Sequence, residues 1–294
     1  MFVVTGVTGH TGKVVAETLL AQRESVRVVV RDAKQGESWK ARGAEVAVAS
    51  LGDASAIAQA LTGVMGAYLL VPPRYDVDGM LAAQRPVIDA LAEAVRKSGV
   101  PHVVLLSSLG AELSEGTGPI RTLHHAERTL GGAAKNITFL RAAYFIENYA
   151  AVLGATAGGV LPTFLTVDKG IPVIATADIG RVAAELLLDP ANGTRVVELT
   201  TAQRYSPADV ARALSSVLGR TITPQFAPNE AVVPALISMG FMPGIAELFR
   251  EMTAGINDGR IGPQGGNVVR RFGQLTPIDV LKPLLESAAT TAHA

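Results

Sequence analysis

Gly6-Val7-Thr8-Gly9-His10-Thr11-Gly12 directly follows the apolar run Phe2-Val3-Val4-Thr5, and the helix-like stretch Lys13-Val14-Val15-Ala16-Glu17-Thr18-Leu19-Leu20 comes next. A short buried strand, three glycines spaced by three and an amphipathic helix are the parts of a pyrophosphate site. The first glycine permits a tight turn, the second lets backbone approach a diphosphate, and the third lets helix pack on strand. The helix N-terminus adds unpaired N–H groups and the positive end of its dipole. Gly6, Thr8, Gly9, His10, Thr11 and Gly12 are therefore the first candidate ligand residues.

The next apolar run, Val26-Arg27-Val28-Val29-Val30, closes the first β–α–β unit and ends at Arg31, with Asp32 behind it. A carboxylate at this strand end would accept hydrogen bonds from the ribose hydroxyls of NAD. A guanidinium suits a 2′-phosphate, through charge-assisted and often bidentate hydrogen bonds. The sequence thus points to NADP(H) read by Arg31, while Asp32 keeps NAD(H) open. Lys34, Lys40 and Arg42 could add to the field, although Lys40 and Arg42 also read as ordinary solvated charges.

These residues need a sheet to hold them. β-like runs recur at 45–48, 67–71, 102–106 and 137–140, separated by helical patterns over 53–62, 79–98 and 121–131. Such alternation, with strands apolar on both faces, predicts a doubly wound parallel sheet of Rossmann type. The rhythm changes beyond residue 150: 154–174 is rich in Gly and Pro, and 178–188 is a helix that Asp178 would cap. Residues 195–200 form a strand returning to the main sheet, and 206–218 a helix opened by Ser206-Pro207, with Asp209 completing a cap. From 219 onward the pattern is loop-interrupted helix, with a frayed tail over 288–294. The expected organisation is an NAD(P)-binding domain over 1–150, taking in about 175–200, and a smaller, mostly helical substrate lobe over 151–174 and 201–294.

Composition narrows the function classes. With 294 residues, 48% hydrophobic and 18% charged, the chain can build a sizeable core. Net charge is zero and aromatics are 5%, which argues against a nucleic-acid surface. The absence of cysteine removes disulfides, thiol nucleophiles and thiolate metal sites together. Five histidines form no His-Glu-x-x-His pattern, so no metal site is expected. No charged-then-apolar leader and no apolar run of roughly 18 residues is present, so the chain reads as cytoplasmic, with no membrane partner.

The chain resembles the NmrA-like atypical short-chain dehydrogenase/reductases and, within them, the NAD(P)H:quinone oxidoreductases. The markers run along nearly its whole length: Val4-Thr5-Gly6-Val7-Thr8-Gly9-His10-Thr11-Gly12, Arg31-Asp32, Gly43-Ala44-Glu45-Val46 and Gly52-Asp53. They continue through Ser107-Ser108-Leu109-Gly110-Ala111, Leu140-Arg141-Ala142-Ala143-Tyr144-Phe145-Ile146-Glu147-Asn148, Asp178-Ile179-Gly180-Arg181 and Val217-Leu218-Gly219-Arg220. The resemblance implies that the backbone from Thr8 to Gly12 holds the pyrophosphate, with Thr11 adding its hydroxyl, and that Arg31 takes the 2′-phosphate. Ser50 and Leu51 would border the adenine, although the family commonly has aspartate where this chain has Ser50. Val71-Pro72 and Ser107-Ser108 would line the crevice, and Tyr144-Phe145 would close its nicotinamide side.

Dehydrogenases of the wider superfamily use a Tyr-x-x-x-Lys pair. Here Tyr68, Tyr75, Tyr144, Tyr149 and Tyr205 are followed four positions on by Pro72, Gly79, Asn148, Leu153 and Asp209. The missing pair argues against ordinary alcohol oxidation by that relay; hydride transfer to a quinone, already electrophilic, fits better. Ser108, Tyr144, and His124 or His125 are candidate donors, while Glu127-Arg128 reads as a solvated helix face. Met239, Phe241 and Met242 suit either an apolar pocket or core filling. The expected partner is a small electrophilic acceptor, with a homodimer left open. Two other readings remain: a non-catalytic NADP(H) sensor acting through a protein partner, and a reductase or isomerase of another small metabolite.

Overall fold

The computed structural model describes residues 1–190, 192–266 and 268–292. Its strands are β1 (Phe2–Val4), β2 (Val26–Val30), β3 (Glu45–Val48), β4 (Gly66–Leu69), β5 (His102–Ser108) and β6 (Asn136–Ala142). They continue as β7 (Tyr144–Phe145), β8 (Val160–Thr163), β9 (Val173–Ile174), β10 (Thr194–Thr201), β11 (Thr223–Phe226) and β12 (Val269–Gly273). The helices are α1 (His10–Ala21), α2 (Ala33–Ala41), α3 (Ala54–Leu61), α4 (Met80–Ser98) and α5 (Arg121–Leu130). After them come α6 (Thr176–Leu188), α7 (Pro207–Leu218), α8 (Val232–Ser238), α9 (Pro243–Asp258) and α10 (Pro277–Ala292).

Eight strands form one sheet in the order β12-β10-β6-β5-β4-β1-β2-β3, parallel throughout. Successive residues of a strand serve opposite faces. Val4, Val28, Val104 and Leu140 pack into the core shared with α1 and α6, whereas Val3, Ala67, Leu105 and Ile137 join the core under α3 and α4. The winding reverses between β1 and β4, which leaves a crevice beyond the C-terminal strand ends. The doubly wound sheet expected from the sequence is present.

Local differences have physical causes. β5 and β6 run on to Ser108 and Ala142 because the polar Ser107 and Arg141, neighbours in register, share a buried carboxylate partner in Glu127. β4 stops at Leu69, short of Pro72 and Pro73, which lack the N–H that a ladder needs. Asp178 does not cap α6. That helix starts at Thr176, and Asp178, buried in its first turn, instead accepts the N–H groups of Gln274 (2.8 Å) and Leu275 (2.9 Å). Ser206, Pro207 and Asp209 form the expected capping box of α7.

The region read as loop and helix also holds strands. β8 pairs with β11 in a small sheet, β7 with β9 in another, and β12 adds to the main sheet beside β10. β12 has no apolar run to announce it: its sequence is Val-Arg-Arg-Phe-Gly, and Val269 and Phe272 are exposed on this edge strand. The main sheet therefore draws on chain well past residue 201. Within the tail, α10 extends to Ala292, while His293 and Ala294 lie outside the described residues.

Candidate cofactor cradle and acceptor cavity

The turn between β1 and α1 needs its glycines for separate reasons. Gly6 has φ +68°, a conformation disfavoured for residues with a Cβ. Gly9 is the N-cap of α1, offers no side-chain acceptor, and donates its N–H to Gly6 O (3.0 Å). At Gly12 an added Cβ would stand 2.4 Å from Thr5 O and 2.5 Å from Gly6 C, so only glycine lets α1 approach the strand this closely. The amides of the first helical turn have no intrahelical partner and point with the dipole toward an anion. Thr8, Gly9 and His10 are exposed beside them, and a Cβ on Gly9 would meet nothing closer than Gly6 O at 3.4 Å. This cradle fits a diphosphate.

Thr11 departs from expectation. Its hydroxyl is buried and accepts a hydrogen bond from Tyr68 OH (2.9 Å), while Thr5 Oγ1 donates to Tyr68 O (3.0 Å). Burial pushes the Tyr68 hydroxyl well above its usual range, so it stays protonated and donating. Thr11 thus bonds into the core rather than toward the anion site.

Arg31 is exposed just past β2 and has no side-chain hydrogen bond or ion pair among the described residues. Asp32 is the N-cap of α2 and accepts the Lys34 N–H (2.9 Å). Arg42 pairs with Glu17 (2.9 Å) and lies over the Trp39 ring at 4.8 Å, so it adds little to an anion site. Past β3, the exposed Ser50 accepts the Gly52 N–H (3.4 Å) and Leu51 is half-buried beside it. Past β4, Val71 and Pro72 are half-buried, and Pro72 O accepts from Gln84 Nε2 (2.7 Å).

Next to the ends of β5 and β6 lies a cavity of about 610 Å³. Ser108, Tyr144 and Phe145 line it, together with Tyr149, Met239 and Phe241. Tyr75, Phe241 and Phe249 form an aromatic wall, with ring centroids 5.4 Å apart for Tyr75–Phe249 and 5.9 Å for Phe241–Phe249. Ser108 Oγ donates to Leu109 O (3.0 Å). Burial pushes the Tyr144 hydroxyl up to about 12, against the opposing hydrogen bond to Asn148, so Tyr144 is a neutral phenol and a standing donor at physiological pH. Met242 is 37% exposed and does not line the cavity.

Three candidate residues turn elsewhere. Ser107 lies on the opposite side of β5 from Ser108, and its buried hydroxyl donates to Glu127 Oε1 (2.6 Å). His124 pairs its Nδ1 with Ala111 O (2.9 Å), and His125 faces Asp89 at 3.9 Å; neither lines the cavity. Glu127 is not on a solvated face. It is buried and grips Arg141 through Nε (2.9 Å) and Nη2 (2.6 Å), while Arg141 Nη1 reaches Glu112 (3.0 Å) and Gln264 (3.0 Å). Ser107, Arg141, Glu198 and Arg270 are register neighbours on β5, β6, β10 and β12. The one sequence signal for this network was an arginine in a strand otherwise buried, which demands a buried acceptor.

A glycine cradle at the first strand–helix turn of a doubly wound parallel sheet defines a Rossmann-type α/β protein. The chain belongs to the NmrA-like family, whose model matches residues 1–278. It is 27% identical over 257 residues to an NAD(P)H azoreductase of Xenophilus azovorans, covering 86% of each chain. It is 26% identical over 278 residues to quinone oxidoreductase 2 of Escherichia coli, covering 94% of this chain and 95% of that one. The crystal structure of an Escherichia coli NADPH-dependent quinone oxidoreductase shares the fold with a TM-score of 0.79 at 23% identity, over 97% of this chain and all of the other.

Proposed function

We propose that this protein is an NAD(P)H-dependent reductase that prefers NADPH and reduces a quinone or a similar flat electrophile. The observation that carries the reading is that the glycine cradle and an apolar cavity lined by Ser108 and Tyr144 both lie at the C-terminal ends of the same parallel strands. The names of the relatives, a quinone oxidoreductase and an azoreductase, support it.

In this reading the backbone from Thr8 to Gly12 binds the diphosphate. Arg31 pairs with the 2′-phosphate, which the unpaired state of its guanidinium favours. Ser50 and Leu51 border the adenine, Val71 and Pro72 line the crevice, and Tyr144 and Phe145 close the nicotinamide side. Bound NADPH supplies the hydride. The chain itself orients the acceptor, keeps water from its apolar walls and offers the Ser108 and Tyr144 hydroxyls to the oxygen that gains charge. The substrate lobe in this reading is 151–174 with 201–294, of which β12 joins the main sheet and β11 pairs with β8. Among the described residues no helix is long and apolar enough to cross a membrane.

The test is NADPH oxidation with and without a simple quinone, beside a direct NADPH titration. Binding with quinone-dependent oxidation is expected. Binding without turnover on any acceptor would overturn the reductase and favour an NADP(H) sensor that acts through a partner.

The cofactor preference has its own variant. Arg31→Ala is expected to weaken NADPH binding by about 1–3 kcal/mol, the scale for losing a charged hydrogen-bond partner, with NADH binding little changed. Equal losses for both cofactors would show that Arg31 does not read the 2′-phosphate.

A further inference from the structure

Glu147 is the one formally charged residue on the cavity wall, and no Lys, Arg or His lines it among the described residues. One carboxylate oxygen is engaged: Oε1 accepts the N–H of Thr176 (2.8 Å) and its hydroxyl (2.6 Å) at the first turn of α6. The other, Oε2, is buried with no hydrogen-bond donor. No Lys, Arg or His forms an ion pair with Glu147 among the described residues. The N-terminal dipole of α6 offsets only part of one charge. The rest of the wall is dominated by apolar and aromatic side chains, including Leu109, Ile120, Val152, Phe164, Phe241 and Phe249. Once a flat acceptor displaces the water of this cavity, a carboxylate on its wall acts across several ångströms with less screening than in bulk water.

We propose that Glu147 is a charge filter for the acceptor: the cavity takes neutral and cationic flat electrophiles and rejects those carrying a sulfonate, carboxylate or phosphate. The inference rests on the cavity being the acceptor site. An anionic acceptor would lose its hydration inside apolar walls and meet a like formal charge that pairs with no cation among the described residues. A neutral ring meets neither cost. A delocalised cation gains from Glu147 and from the faces of Tyr75, Phe241 and Phe249, whose rings already form a cluster. Specificity here comes from a repulsive element as much as from the fit of the ring.

The experiment compares three probes with one ring system: menadione, a naphthoquinone sulfonate, and a naphthoquinone bearing a trimethylammonium group. Each is measured as kcat/KM with NADPH and, independently of turnover, as Kd by calorimetry with saturating NADP⁺. In the unaltered protein the sulfonate is expected to fall at least about ten-fold below menadione, with the cation equal or better. Glu147→Gln keeps the shape and the acceptor for Thr176 while removing the charge, and should bring all three within about two- to three-fold of one another. Glu147→Asp keeps the charge but shortens the reach to Thr176, and should retain the discrimination. A purely structural role would affect both variants alike and leave the order of the probes unchanged, which overturns the filter. Turnover of all three with no charge order sinks the filter and leaves the reductase standing. Binding in the expected charge order without turnover supports the filter and sinks the reductase. Failure of all three to bind sinks both.

Discussion

Arg141→Met is expected to cost about 3–5 kcal/mol of folding stability, because it strands the buried Glu127 carboxylate, which pairs with no other cation among the described residues. Arg141 makes two hydrogen bonds to Glu127, at 2.9 and 2.6 Å, and a third to Glu112 at 3.0 Å, with its own side chain 8% exposed. Methionine fills similar space, so the loss reports on charge rather than on a void. For a domain of this size the melting temperature should fall by about ten degrees, read by thermal or denaturant unfolding. Replacing both partners, Arg141→Met with Glu127→Gln, should recover at least half of the loss, since removing a whole buried pair is far cheaper than breaking it. A single-variant cost below about 1 kcal/mol would show that the network is solvated in solution.

Acidity provides a second check on the same variant. Burial pushes the Glu112 carboxyl above its usual range, with Arg141 opposing that push. A carboxyl whose folded pKa exceeds its unfolded value binds protons preferentially in the folded state. Its ionisation therefore costs stability above the folded pKa, and that cost disappears as pH falls through it. Removing Arg141 enlarges the cost at neutral pH. The gap between variant and unaltered protein should accordingly narrow on acidification, and a gap that widens would contradict the assignment.

Gly12→Ala is the second large effect, and Gly9→Ala its control. A methyl at Gly12 would lie 2.4 Å from Thr5 O and 2.5 Å from Gly6 C and O. These are backbone atoms, so no rotamer change relieves the clash and α1 must move. Behind it α6 holds α1 in place through Gly180, where an added Cβ would come 2.5 Å from Val14 Cβ. The expected cost is about 1–3 kcal/mol or more in stability, together with loss of measurable NADPH binding as the first-turn amides shift. At Gly9 the methyl has room within the protein, and in the proposed cradle it would stand at the N-cap beside the amides that take the diphosphate. Gly9→Ala should therefore keep most of the stability, losing no more than about 1 kcal/mol as a poorer N-cap, and still lose NADPH affinity. If both variants bind NADPH normally, the cradle is a structural turn and the cofactor sits elsewhere.

These variants separate two kinds of information in the chain. The sheet, its winding, the glycine turn between β1 and α1 and the capping box at Ser206 were legible, because each depends on a few residues close in sequence, whereas Asp178, read as a cap, is taken up by the distant backbone of Gln274 and Leu275. Apolar runs bury strands, glycine spacing shapes a turn, and a serine or aspartate caps the amides just beyond it. Arg31 stands exposed at its strand end, with no side-chain partner among the described residues, for the same reason: the end of β2 is a local feature.

What escaped the sequence lies between strands. Ser107 and Ser108 are adjacent, and only the alternation of β5 sends the Ser107 hydroxyl to Glu127 and leaves Ser108 on the cavity wall. Thr11 sits inside a glycine motif, yet Tyr68, 57 residues away, decides that its hydroxyl points inward. Glu127 follows two histidines on a polar-looking helix, and it is buried because Arg141 on β6 needs an acceptor there. β12 has the composition of a loop and becomes a strand because β10 presents an open edge. Residue type and spacing along this chain determined that it forms a parallel α/β sheet with a close-packed glycine turn at its first strand–helix junction. Cross-strand register, which no local pattern encodes, decided which side chains face the cavity and which are spent holding the sheet together.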